Sequence, residues 1–361
     1  MPYNRGMNEI TLALPYALPP PELAPDLVRA IDTPALSMLL SRNEKLRYTA
    51  ADPASRTLPH EAWLARVLGL SAAVGGADND APFAAAVLHG CGLAAPAGHW
   101  FIVQPAHVQL ARTHLLLADQ RQLRLTEDES RALFELARPS FEDAGKTLVY
   151  GGPELWFVRA DDWASMDTAT PDAAMAQNLS DWVPEGPSSR DFRKLQNEIQ
   201  MTWHEHPVNE AREARGLKPV NSLWLWAGAP AAAQSNAATL AVADGPAWMM
   251  ALAAPALRAP TAAQLLANQA AGGTGGTGHT IMLPGLIPSA IAGDWSDWLA
   301  AVHRIEHEWC APLLDALQSG RIGSVTLLLN HRNGTLCSTT SKAALRKFWR
   351  KPSLNNLLKQ A

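Results

Sequence analysis

Apolar residues along this chain fall into two spacings. Near the start, Ile10-Thr11-Leu12-Ala13-Leu14 is a short, nearly continuous apolar run stopped by Pro15, the pattern of a buried strand. From Glu22 to Asn43 the spacing lengthens. Leu23, Leu27, Ile31, Leu36, Leu39 and Leu40 fall on a rough helical stripe, which Pro34 divides in two. His60 to Leu70 repeats the helical spacing through Trp63, Leu64, Val67 and Leu68, and residues 82–92 predict a helix ending at Gly90 or Gly92. Between these helices, Ala73 to Asp80 is rich in Gly, Ala and Asp and predicts a loop.

The texture then changes. His99 to Gln109, Leu115 to Leu117, Thr147 to Tyr150 and Glu154 to Arg159 predict short strands, and a helix over Glu127 to Glu135 follows Thr126, a candidate N-cap. Residues 161–190 are crowded with Asp, Pro, Ser and Asn and read as loop. From Ser189 the alternation is regular: helix from Arg190 to Trp203, strands at Ser222 to Trp226 and Thr239 to Val242, and a helix from Ala247 to Leu257. A strand at Thr280 to Leu283, a long helix from Trp295 to Leu317 and a strand at Ser324 to Leu329 follow. Strands alternating with helices imply a largely parallel sheet covered on both faces. Asn333-Gly334 between two apolar runs predicts a type I′ hairpin and an antiparallel pair at the sheet edge. The Ala- and Gly-rich stretch 260–278 reads as a surface loop. The expected architecture is an α/β core of residues 1–95 and 186–361, an inserted α+β unit of residues 96–185, and a basic tail over 342–361.

Composition narrows the function without naming it. Of 361 residues 47% are hydrophobic and 18% charged, with 30 Lys and Arg against 34 Asp and Glu, so the chain is not a basic nucleic-acid-binding protein as a whole. Its three cysteines, Cys91, Cys310 and Cys337, are too scattered for a disulfide framework or a zinc CxxC pair. No apolar run approaches a membrane span, and prolines interrupt the first apolar stretch, so the expectation is a cytoplasmic protein with no membrane contact.

Short motifs compete with plainer explanations. Gly273 to Gly278 matches GxGxxG, but a helix-like segment precedes it and a strand follows, the reverse of a dinucleotide-binding turn. His303-Arg304-Ile305-Glu306-His307 matches a zinc-peptidase HxxEH, yet Leu299, Val302, Ile305, Trp309 and Leu313 already give this helix a buried face. Asn333-Gly334-Thr335 is a glycosylation sequon that a hairpin turn explains equally well. The tail gathers Arg346, Lys347, Trp349, Arg350 and Lys351, beside Phe348 and with no acid. It is either a docked amphipathic helix or a contact for nucleic acid or a protein partner.

The most distinctive stretch is Asn197 to Ala229, NEIQMTWHEHPVNEAREARGLKPVNSLWLWAGA. His204, His206, Asn209, Arg212, Arg215, Asn221 and Gly228 either bind a small anion, since Arg offers a fork suited to phosphate or carboxylate, or form a buried polar network. His206, Pro207, Asn209, Arg212, Gly216, Asn221 and Gly228 resemble, in order and spacing, a signature of the archaeal-type cofactor-independent phosphoglycerate mutases. Leu12 to Leu14 and Asp32 to Leu40 are similar to that family's opening strand and following helix. The chain also resembles a bacterial group named after the regulatory protein RpfE.

The resemblance implies an alkaline-phosphatase-like core, a two-metal site of Asp and His, and a serine that attacks the phosphoryl group. The sequence departs at those positions. Pro15 stands where a metal-binding Asp is expected, Pro59 where the nucleophile is expected, and Asn330-His331-Arg332-Asn333 where a Gly-Asp-His-Ser motif is expected. Proline offers neither ligand nor nucleophile. The expectation is therefore a catalytically degenerate protein, with no catalytic residue, metal or cofactor, that binds a partner protein or a small anion. Two alternatives stay open. One is an active mutase or phosphatase with Mn or Zn in a rearranged site drawn from Asp294, Asp297, His279 and His331. The other is an adaptor working through the tail.

Overall fold

The computed structural model describes residues 9–70, 81–233, 235, 239–258, 260–270 and 279–360. The 73–80 loop and the glycine motif 273–278 lie outside them. Its strands are β1 (Glu9–Leu14), β2 (Lys45–Ala50), β3 (His99–Ala106), β4 (Val108–Leu110), β5 (Leu115–Leu117), β6 (Thr147–Gly152), β7 (Leu155–Arg159), β8 (Ser222–Pro230), β9 (Leu240–Val242), β10 (His279–Met282), β11 (Ser324–His331) and β12 (Gly334–Ser341). They belong to two compact units, one of residues 1–53, 237–245 and 253–361, the other of residues 54–236 and 246–252.

The first unit is built on a six-stranded sheet in the order β2-β12-β11-β1-β10-β9. β11, β1, β10 and β9 run parallel, and β12 and β2 are antiparallel additions. Leu12, Ala13 and Leu14 are all buried because a central parallel strand has helices on both faces and no polar side. β12 alternates instead, with Leu336, Ser338 and Thr340 inward. Leu12, Leu39, Ile281, Trp298, Leu317 and Leu329 belong to one core cluster. The stripe over 22–43 does split at Pro34, into helices Ala24–Ala30 and Pro34–Ser41, with Pro34 in the first turn where its missing N–H costs nothing.

Three expectations for this unit need correction. The hairpin forms, but His331 pairs with Gly334, so Arg332 and Asn333 make the turn. None of these residues has positive φ, which excludes type I′. Gly334 is glycine for room, because a Cβ there would sit 2.2 Å from the Tyr48 hydroxyl. That tyrosine is on β2, the true edge strand, whose six residues the helical reading of 22–43 stopped short of. Part of the expected 260–278 loop is the helix Ala262–Ala270. The long helix from 295 is interrupted by a π turn over Glu306–Cys310, where Pro312 has no N–H to donate back to residue 308.

The second unit is built on an antiparallel sheet in the order β6-β7-β3-β8, with the hairpin β4-β5 beside it in sequence. Thr126 caps the helix Glu127–Asp143 as expected: its hydroxyl accepts from the Glu129 N–H (3.2 Å) and the Glu129 carboxylate accepts from its own N–H (3.1 Å). This helix and Ser189–His204 pack together, with Trp156 edge-on to both Phe134 and Trp203. The unit is larger than the 96–185 insertion expected, because residues expected in the core, from residue 54 onward and including Ser189–His204 and β8, belong to it. β8 was expected in the parallel sheet. It is buried almost throughout, so its apolar run looks like a parallel core strand, and only its pairing with β3 shows otherwise. None of the three cysteines is in a disulfide, and no described helix is long and apolar enough to cross a membrane.

Candidate functional site

The stretch singled out in the sequence is a polar network closed on itself. Arg212 is fully buried, donating to the Lys218 carbonyl (2.9 Å), to the Leu123 carbonyl (2.5 Å) and to Glu129 (2.8 Å). Arg215, on the surface, pairs with the other oxygen of Glu129, whose carboxyl is held below the usual range against its partial burial by the Thr126 N–H and the two guanidinium groups. Asn209 donates to the Trp203 and Val220 carbonyls and accepts from the Val220 N–H (2.8 Å), locking the helix Pro207–Ala214 to the strand that follows. Asn221 makes the same two-way bond with the backbone of Val108. His206 caps its helix through Nδ1, accepting from Val208, and His204 is exposed. Gly228 lets β8 pass Phe101 and His99, since a Cβ would lie 2.6 Å and 3.0 Å from their rings. Each guanidinium nitrogen of Arg212 already donates to a protein acceptor, so an anion there would compete with these bonds.

At the carboxyl edge of the parallel sheet in the first unit, the residues expected to replace a two-metal site are tied to one another. The Asn330 Oδ1 accepts from the Tyr16 N–H (2.8 Å), leaving an amide donor that would repel a cation. His331 accepts from the Asn333 N–H at Nδ1 (2.8 Å), which makes Nε2 the protonated nitrogen facing Gln360 (2.9 Å). Burial holds its imidazole below the ordinary value. The other candidates do not converge there: His279 begins β10 opposite Ile10, at the amino end of the strands, and Asp294 caps the helix Trp295–Ile305 by accepting from Asp297. Pro15 and Pro284 follow β1 and β10. This donor set does not fit two divalent cations.

The HxxEH segment is a capping device. Buried Glu306 accepts from the Ala35 and Leu36 N–H groups (2.6 and 3.0 Å) at the start of Pro34–Ser41, and His303 accepts from the Asp32 N–H (3.2 Å). The tail is docked, but not as the helix expected. Lys347 and Arg350 donate to the Asn43 carbonyl, Arg350 also to Ser41, at the carboxyl end of that same helix. Phe348 and Trp349 stay 80% and 67% exposed.

A polar cluster that the sequence did not single out lies in the second unit. The helix Pro59–Val67 begins with His60 and Glu61, both buried, and the Glu61 carboxylate turns back to accept from the Leu58 N–H (2.8 Å). Thr170 donates to the same oxygen (2.7 Å) and caps Pro171–Ala174, which carries Asp172. Arg121 grips Asp172 with two parallel bonds (2.9 and 3.2 Å) and reaches Asp119 through Nε (2.8 Å). Glu61, Asp119, Arg121 and Asp172 line a cavity of about 30 Å³ together with Gln104, Gln120, Glu154, Met175 and Trp248, and His60 sits beside Glu61 without lining it.

The ligand atoms of His60, Glu61 and Asp172 lie within 4.8 Å of one another. Burial, with the Arg121 charge nearby, pushes the His60 imidazole down to about 3, and burial beside Asp172 pushes the Glu61 carboxyl up to about 8. At neutral pH the site therefore presents a neutral imidazole and a protonated carboxyl, able to exchange a proton or to take a cation in its place. The one local signal was Pro59 followed by Glu61, the mark of a helix start. Nothing local connects it to Asp172, 111 residues on, in a segment that reads as loop.

No family model matches the chain. A stretch of 61 residues is 36% identical to the 2,3-bisphosphoglycerate-independent phosphoglycerate mutase of Methanothrix thermoacetophila, spanning 17% of this chain and only 16% of that protein. Among solved structures, the PH0037 protein of Pyrococcus horikoshii is similar over 98% of this chain and 92% of its own, with a TM-score of 0.53 at 11% identity. The cofactor-independent phosphoglycerate mutase of Thermoplasma acidophilum is similar over 98% and 95%, with a TM-score of 0.44 at 13% identity. The chain is thus an α/β protein sharing its fold with PH0037, with a mixed, mostly parallel sheet and a separate antiparallel one.

Proposed function

We propose that this chain is a catalytically degenerate relative of the cofactor-independent phosphoglycerate mutases, on an alkaline-phosphatase-like core. In this reading it is a binding or regulatory protein of the RpfE-like kind, which takes a small anion or a protein partner. The observation that carries the reading is the carboxyl edge of the parallel sheet, where Pro15, Pro284, Asn330 and His331 stand and where Asn330 and His331 use their acceptor atoms on Tyr16 and Asn333. A phosphoryl-transfer enzyme of this type needs carboxylates and imidazoles there, and Pro59 offers no hydroxyl where its nucleophile is expected. Mutase and phosphatase assays with added Mn²⁺ and Zn²⁺ test it: no turnover is expected, and metal-dependent turnover overturns it. The exposed Phe348–Trp349 pair favours a protein partner for the tail, and removing residues 342–361 abolishes that binding if the tail carries it.

A further inference from the structure

We propose that the cavity of the second unit, with His60 beside it, is a site for one divalent cation, Mn²⁺ or Zn²⁺, held by His60, Glu61, Asp172 and Gln104. The three ionisable side chains bring one nitrogen and two oxygen donors to within 4.8 Å of one another, the mixed imidazole–carboxylate set that first-row divalent metals prefer. The volume of about 30 Å³ is that of an ion or a water rather than of a metabolite.

Gln104 is the independent observation. It is 7% exposed and lines the cavity, and its Oε1 has no hydrogen-bond partner among the described residues. Its Nε2 donates to the Glu154 carbonyl (3.1 Å), which fixes the amide so that the oxygen is the atom left over. A buried amide oxygen without a donor costs stability, and a cation satisfies it. Asp172 stays available although Arg121 bonds both of its oxygens, because each carboxylate oxygen keeps a second lone pair.

Charge points the same way. With Glu61 ionised, Asp119, Asp172 and Glu61 outweigh the single Arg121 guanidinium, and Glu154 borders the same cavity. An anion would meet these carboxylates, whereas a divalent cation compensates them. Neither Pro15 nor Asn330 to Asn333, where the mutase resemblance expects a metal-binding Asp and a Gly-Asp-His-Ser motif, supplies a ligand here, and His60 and Glu61 directly follow Pro59, where it expects the nucleophile.

The test is calorimetric titration of the chelator-stripped full chain with Mn²⁺ and with Zn²⁺. One equivalent is expected, with affinity falling at least tenfold in Glu61→Gln and in Gln104→Leu and unchanged in His303→Ala. To remain decisive if a variant fails to fold, Mn²⁺ is also added to wild-type protein labelled at the methionine methyls. Selective paramagnetic broadening of Met175, which lines the cavity, is expected. No binding, or broadening elsewhere with Met175 sharp, overturns the proposal and leaves the degenerate-mutase reading standing. Two equivalents with turnover overturn that reading instead.

Discussion

The carboxyl edge of the parallel sheet and the cavity of the second unit are both polar, but they spend their polar groups differently. At the sheet edge, Asn330 and His331 face the backbone N–H groups of Tyr16 and Asn333 and the side chain of Gln360, so their bonding orients loops and leaves over only an uncharged amide nitrogen, that of Asn330. In the cavity, buried Glu61 and Asp172 and half-buried Asp119 and Arg121 are charged or titratable and lie against one another, and the Gln104 oxygen and the Gln120 amide nitrogen are left over. Polar groups satisfied by backbone stabilise a fold. Buried ionisable groups held against their preferred protonation are more often where function sits. A resemblance drawn to the mutases directs attention to the sheet edge, while the physical chemistry directs it to the cavity.

The largest effect that separates the two regions is expected at Arg121. Replacing it with Ala leaves Asp119 and Asp172 without their counter-charge and should cost about 3 kcal/mol in urea denaturation, whereas His331→Ala at the sheet edge should cost about 1 kcal/mol or less. Equal losses would erase the distinction. Next comes Glu306→Ala, which strips two buried N–H groups at the start of Pro34–Ser41 of their acceptor. A loss of about 2 kcal/mol, recovered only in part by Gln, fits the capping role.

The pH dependence gives a smaller but more specific signal. Glu61 has its folded pKa raised from 4.5 to about 8, so its contribution is complete below about 4.5 and is lost as pH rises toward 8. His60 has its folded pKa lowered from 6.5 to about 3, so its contribution is complete above about 6.5 and is lost as pH falls toward 3. Between about 4.5 and 6.5 the two slopes oppose each other. Between about 6.5 and 8 only Glu61 acts, and stability should fall by roughly 1 kcal/mol per pH unit. Chemical denaturation across this range measures it, and Glu61→Gln should flatten the slope. The smallest effect is expected at Arg350→Ala, about 0.5 kcal/mol, because its carbonyl partner at Asn43 is shared with Lys347.

The local elements were legible where one strong rule decided them. Pro34 splits a helix, Thr126 with Glu129 starts another, and the continuous run before Pro15 is a central strand. Legibility failed where pairing or distance decided. β8 carries the apolar run of a parallel core strand yet pairs with β3, so the second unit is larger than its composition suggests. β2 alternates weakly and is mostly exposed, so only its partner β12 reveals it. At the site, the Asn197 to Ala229 residues were visible because they cluster in sequence, and they form a network around Arg212 and Asn209. The Glu61 cavity was not visible. Its ligands come from a helix start, a strand and a segment that reads as loop, and His60 and Glu61 follow directly on Pro59, a position that reads only as a missing serine.

The proposed reading assigns no phosphoryl-transfer chemistry to the sheet edge. Its most direct test is ³¹P NMR of the full chain with 3-phosphoglycerate and saturating Mn²⁺. The substrate resonance is expected to persist unchanged. Conversion to 2-phosphoglycerate that disappears in His331→Ala would contradict it.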